Sequence, residues 1–113
     1  MDVFEINEIS AERAATDKLY LEFIKSSSLS VGLYELKAGE NDPQQPHTED
    51  EVYYVIDGQG EIFVDGEDRE VNAGSIVYVA AGAEHRFHSI TKNLSLLVFF
   101  APAEYSNSET SLE

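Results

Sequence analysis

The sequence predicts a single all-β domain of the sandwich or barrel type. Apolar and polar residues alternate in short runs, glycine-containing turns separate those runs, and no strand-like run alternates with a long helical pattern. At 113 residues the chain can enclose one core and not two.

Residues 1–17 read as an N-terminal arm or strand, with Val3, Phe4, Ile6 and Ile9 scattered through it and one helical turn expected near residues 10–15. From Lys18 the pattern alternates: Leu19, Leu21 and Phe23 share one face, and Lys18, Tyr20 and Glu22 the other, which is the signature of a half-buried strand. Ser26, Ser27 and Ser28 break it, and residues 29–37 resume as a second strand. Residues 39–46 read as loop and 51–56 as strand. A tight turn is expected at Asp57, Gly58, Gln59 and Gly60, where glycines supply positive φ. Residues 61–65 follow with Ile62 and Val64 inward, and Asp65-Gly66 starts a hairpin returning through 69–71. Residues 75–79, 85–90 and 94–100 complete the strands of a barrel spanning 18–103, and 104–113 read as a polar, frayed tail.

Strand 94–100 is apolar on both faces, with Leu97 and Phe99 opposing Leu96, Val98 and Phe100. Its outer face therefore needs cover. A homodimer is the expected source, and folding back of the arm with Phe4 and Ile6 is the alternative.

Composition narrows the function. Against 7 Lys and Arg stand 22 Asp and Glu, a net charge of −15, so nucleic acid and anionic membrane surfaces would be met with like charge and are not expected partners. Without cysteine there are no disulfides and no thiolate metal sites. The first residues carry acids and no apolar signal region, and the apolar run at 96–101 is far too short to span a bilayer, so a cytoplasmic protein is expected. Neither a glycine-rich phosphate loop before a helix nor a Gly-X-Ser-X-Gly elbow is present.

One stretch carries chemistry. Gly39, Gln45, His47, Glu51 and Gly58 follow one another with gaps of five, one, three and six residues. On an extended strand Gln45, His47 and Glu51 point to one face, and an imidazole, a carboxylate and an amide carbonyl aimed at one point can bed a divalent cation. This spacing resembles the first motif of the cupin superfamily, with Gln45 in place of that motif's first His. The second cupin motif is similar to Gly74, Ala80, Gly82, His85 and Ser89, with gaps of five, one, two and three residues; here Ala80 replaces Pro and Ser89 replaces Asn. The resemblance covers about residues 19–102.

The resemblance implies a double-stranded β-helix (jelly-roll) barrel holding one divalent metal ion, Fe, Mn, Zn or Ni, on His47, Glu51 and His85. Gln45 is either a fourth ligand through its carbonyl oxygen or swung away. The second case leaves a triad of two histidines and one carboxylate with open positions, suited to non-haem iron(II) and oxygen. Glu51 doubles as an acid or base in some family members. Tyr53 shares the face of Glu51 and is either a hydrogen-bond donor to a bound substrate or a core tyrosine. Val55, Ile62, Val64 and Phe87 would line a pocket for a small, mostly apolar or aromatic substrate, while His88 points outward.

Three functions fit that implied site. A metal-dependent oxidoreductase of dioxygenase type leads. A metal-dependent isomerase or lyase follows, because cupin-fold phosphomannose isomerases carry a Gln two residues before the His; this chain lacks their basic residues, Arg86 being the sole base in either motif. The third is a barrel that binds or senses a ligand without catalysis.

Overall fold

The computed structural model describes residues 1–106, and the rest of the expected tail lies outside them. Among these residues helix α1 (Ile6–Ala14) precedes strands β1 (Tyr20–Lys25), β2 (Ser30–Leu36), β3 (Asp50–Val64), β4 (Glu67–Asn72), β5 (Ile76–Val79) and β6 (His85–Ala101). Their pairing is antiparallel in the order β1-β2-β6-β3-β4, with β5 added to the first half of β3. The all-β jelly roll is as expected.

Two expected breaks are absent. The strands predicted at 51–56 and 61–65 are one strand, β3, and those at 85–90 and 94–100 are one strand, β6. Residues 57–60 form no hairpin turn. They lie where the β3–β6 register shifts three times between Val55 and Glu61, so the extra residues bend the paired strands without parting them. Gly58 permits the bend: its φ is 105°, and a Cβ there would lie 2.3 Å from the Asn93 carbonyl oxygen on β6. The hairpin at Asp65 and Gly66 is as predicted, with φ of 44° and 87°.

The bend closes the sheet around one core, in which Tyr53, Val55 and Ile62 from β3 meet Phe87, Leu96, Val98 and Phe100 from β6. On β1 the inward residue is Tyr20, whose ring packs edge-on against Tyr34 and Phe100, while Phe23 faces out and meets the Phe4 ring at 5.2 Å. Alternation alone misled there because both faces of β1 are covered.

The cover on the outside is the arm. It forms a helix, not a strand, since residues 10–15 are mostly good helix formers and Arg13 Nε binds Glu35 Oε1 at 2.7 Å. Phe4, Ile6 and Ile9 then line a small apolar cavity of 310 Å³ with Phe23, Leu97 and Phe99. The doubly apolar strand therefore finds cover within its own chain and does not by itself require a second copy. No helix among the described residues is long and apolar enough to cross a membrane.

Gly58 and Gly66 separate two effects. Gly58→Ala combines a disfavoured φ with a backbone clash and should cost about 3 kcal/mol or more, whereas Gly66→Ala, with open space around it, should cost about 1 kcal/mol. Urea unfolding of both variants measures the difference, and equal losses would show that the β3–β6 crossing does not need glycine.

Candidate metal centre

Residues 37–49 carry the chain from β2 to β3 without regular structure. Ala38 N donates to Asn93 Oδ1 at 2.9 Å and Gly39 N to the Ile90 carbonyl at 3.1 Å, and one carboxylate fastens the middle of the segment. Asp42 Oδ1 accepts from Tyr34 Oη at 2.5 Å and from Gln44 N at 3.1 Å, and Oδ2 accepts from Gln44 Nε2 at 2.7 Å and from Phe87 N at 2.8 Å. The loop so held delivers His47, whose carbonyl accepts from Gly82 N at 2.6 Å and thereby joins the two motifs. From Asp50 the strand period takes over, turning Glu51, Tyr53 and Val55 inward, while His85 opens β6.

These elements bring three side chains together. Glu51 Oε1 lies 2.8 Å from His85 Nε2 and 3.4 Å from His47 Nδ1. One ligand atom from each of the three lies within 4.8 Å of the others. Glu51 is 1% exposed, and its carboxylate faces the two imidazoles with no backbone donor on either oxygen among the described residues. His85 Nδ1 is 2.9 Å from the Ala83 carbonyl, which accepts its proton and leaves the Nε2 lone pair for the interior. Two imidazole nitrogens and a carboxylate converging on one buried point suit a divalent cation.

Without a metal, protons serve instead. Burial alone would lower the His47 pKa, but Glu104 and Glu51 outweigh it and raise it to about 9. His85 is likewise pushed down by burial and raised on balance by Glu51 and the Ala83 carbonyl. Burial would raise the carboxyl pKa of Glu51, yet the two imidazoles hold it below its ordinary value.

The other expected residues fall differently. Gln45 stands exposed at the rim of a 420 Å³ cavity that His47, Tyr20, Tyr34 and Phe100 also line. It lies in the irregular loop, where strand alternation does not apply, and its neighbour Gln44 reaches inward. Tyr53 is fully buried: its hydroxyl donates to Gln44 Oε1 at 2.6 Å, and its oxygen is 3.1 Å from His85 Nε2. Val55, Ile62 and Phe87 are sealed in the core and do not line the cavity. His88 turns outward to Asp68 at 2.6 Å, as expected. Ser89 has φ 51°, a region that asparagine enters more readily than most residues.

Glu104 was hidden in the residues read as frayed tail. Its Oε2 lies 3.1 Å from His47 Nε2, and its own N–H donates to Ser30 Oγ at 2.9 Å. Tyr105 N donates to buried Glu49 Oε1 at 2.6 Å. The tail is docked here because the buried acceptors lie in the barrel, and no spacing in the sequence relates position 104 to position 47.

The barrel and its paired histidines define a class, and the chain belongs to the cupin family: residues 32–100 match the cupin domain. Over 104 residues it is 49% identical to an uncharacterized protein of Streptomyces coelicolor, covering 92% of this chain and 99% of that one. It is 29% identical over 97 residues to an acireductone dioxygenase of Yarrowia lipolytica, covering 81% of this chain and 56% of the relative. A solved structure from Thermus thermophilus shares the fold with a TM-score of 0.74 at 22% identity, covering 91% of this chain and 99% of that one. Cupins commonly bind a metal.

The raised His47 pKa has a definite sign. Between the ordinary histidine value and about 9, the folded metal-free protein holds a proton that the unfolded chain has lost. The stabilisation is complete below the ordinary value and disappears as pH rises through about 9. Urea titrations of metal-free protein should show the stability gap between wild type and His47→Gln shrinking across that window; a gap that widens would contradict the assignment.

Proposed function

We propose that this chain is a metal-dependent oxidoreductase of dioxygenase type acting on a small organic substrate. One observation carries the reading: two imidazoles and one carboxylate converge in a buried cluster, one ligand atom of each lying within 4.8 Å of the others. Three protein ligands leave coordination positions for oxygen or substrate, which fits a two-histidine, one-carboxylate iron(II) site. Likeness to an acireductone dioxygenase supports the same class.

His47, Glu51 and His85 would hold the ion. Iron(II), or manganese or nickel in its place, would supply Lewis acidity and electron exchange with oxygen. Glu51 lends the site its negative charge and is the group placed to take or return a proton. Tyr53 acts through others, its hydroxyl lying between Gln44 and His85. Tyr20, Tyr34, Val98 and Phe100 wall the cavity beside His47, a mixed surface suited to a substrate with an apolar body and a few polar atoms. Gln45 guards the rim and does not ligate. The reading includes a homodimer, for which the exposed Tyr54, Ile76 and Tyr78 offer apolar contact. Light scattering should return twice the chain mass, and a monomer at all concentrations would remove that part.

Metal analysis by mass spectrometry tests the core of the proposal. About one iron, manganese or nickel per chain is expected. His47→Ala, Glu51→Ala and His85→Ala should each weaken binding by more than about 100-fold, and Gln45→Ala by less than about 10-fold. Iron-loaded protein should then take up oxygen with a suitable small substrate. Wild type without stoichiometric metal would overturn the reading; zinc at stoichiometry without oxygen uptake would move it to isomerase or lyase chemistry.

A further inference from the structure

Two inward tyrosine hydroxyls near the cavity are committed to the protein: Tyr34 Oη donates to Asp42 and Tyr53 Oη to Gln44. A third, Tyr20 Oη, is buried and has no hydrogen-bond partner among the described residues. A phenol oxygen shut away from water without a partner costs stability, and phenylalanine would fill the same space without that cost. The oxygen therefore awaits a partner that the chain does not supply.

The barrel makes room for this ring. Gly32 on β2 shares the inward face of Tyr34, and a Cβ there would lie 2.2 Å from both Cζ and Oη of Tyr20. Its φ is not positive, so no turn demands glycine at this position; the phenol does. Tyr34 and Phe100 meet the ring edge-on at 6.2 and 6.4 Å, and Tyr20 lines the 420 Å³ cavity together with His47. We propose that Tyr20 is a substrate-binding residue, whose hydroxyl donates a hydrogen bond to an uncharged oxygen of the substrate, a carbonyl above all. The proposal rests on the function proposed above and narrows its substrate class. A small turn of the phenol away from Gly32 carries the hydroxyl into the cavity that the ring already lines. Burial, with Glu104, Glu22 and Glu51 nearby, pushes the phenol pKa well above its ordinary value, so the oxygen keeps the proton it has to donate. The same carboxylates would repel an anionic substrate group at this point.

The test titrates acetophenone, an apolar body with one carbonyl, into the full chain with and without zinc(II), followed by amide NMR. Acetophenone should shift the amides around the cavity, and Tyr20→Phe should weaken its binding about 5- to 10-fold. In the metal-free form the anionic counterpart, benzoate, should bind more weakly than acetophenone. In urea, Tyr20→Phe should unfold at the wild-type midpoint or above it, which a hydroxyl that merely held the fold would not allow. Gly32→Ala should lose stability in the wild-type background and little in a Tyr20→Ala background, because the clash leaves with the ring. Acetophenone that leaves the wild-type cavity untouched, equal affinity in Tyr20→Phe, tighter binding of benzoate, or a lowered midpoint in Tyr20→Phe would overturn the proposal, and equal Gly32→Ala losses in both backgrounds would overturn the part given to Gly32. A wild type that takes up no metal, with the acetophenone result intact, would instead sink the metal-site reading and leave Tyr20 in its role.

Discussion

The molecule depends on one strand pair being bent double. Glu51 stands near the start of β3, and His85 pairs with Val64 at its far end. A straight ribbon would hold those positions about 40 Å apart, yet the side chains meet at 2.8 Å. Register shifts between Val55 and Glu61, and the absence of a side chain at Gly58, let the ribbon turn without losing its partner. The core follows from the same bend, because it sets the inward residues of the two halves face to face. The site is a by-product of closing the barrel.

Placing a carboxylate inside that closure has an electrostatic consequence. A buried charge without a counterpart is strongly destabilising, and a chain of net charge −15 offers few cations to compensate it. Glu51 is therefore matched locally by two imidazoles, which when protonated bring positive charge to the same point. On the metal-site reading, an ion would displace those protons, so its affinity would rise with pH while the metal-free fold weakens. Folding and the proposed metal site draw on one set of atoms.

Much of this was legible in the sequence, and the gaps have physical causes. His47, Glu51 and His85 were readable because each sits at a fixed distance from a glycine of its motif, and the structure brings all three together. The orientation of Gln45 was not, because strand alternation fails in an irregular loop. Glycines signal both turns and bulges, so 57–60 read as a hairpin although the chain continues through it. Glu104 meets His47 across a separation of 57 positions, beyond the reach of any local pattern. The arm was ambiguous for a related reason: Phe4, Ile6 and Ile9 find their partners on three strands, β1, β2 and β6, that only the fold brings together.

The hub at Asp42 bears on how such a barrel can diversify. One side chain collects hydrogen bonds from β2, from β6 and from its own loop, so the loop is anchored at a point that does not touch the cavity. Pro43, Gln44 and Gln45 hang between that anchor and His47, and all three face the cavity. Gln44 is tied to Asp42 and Tyr53, but Pro43 and Gln45 can be exchanged, by descent or in a laboratory library, to alter what the cavity admits while the barrel and its histidines keep their places.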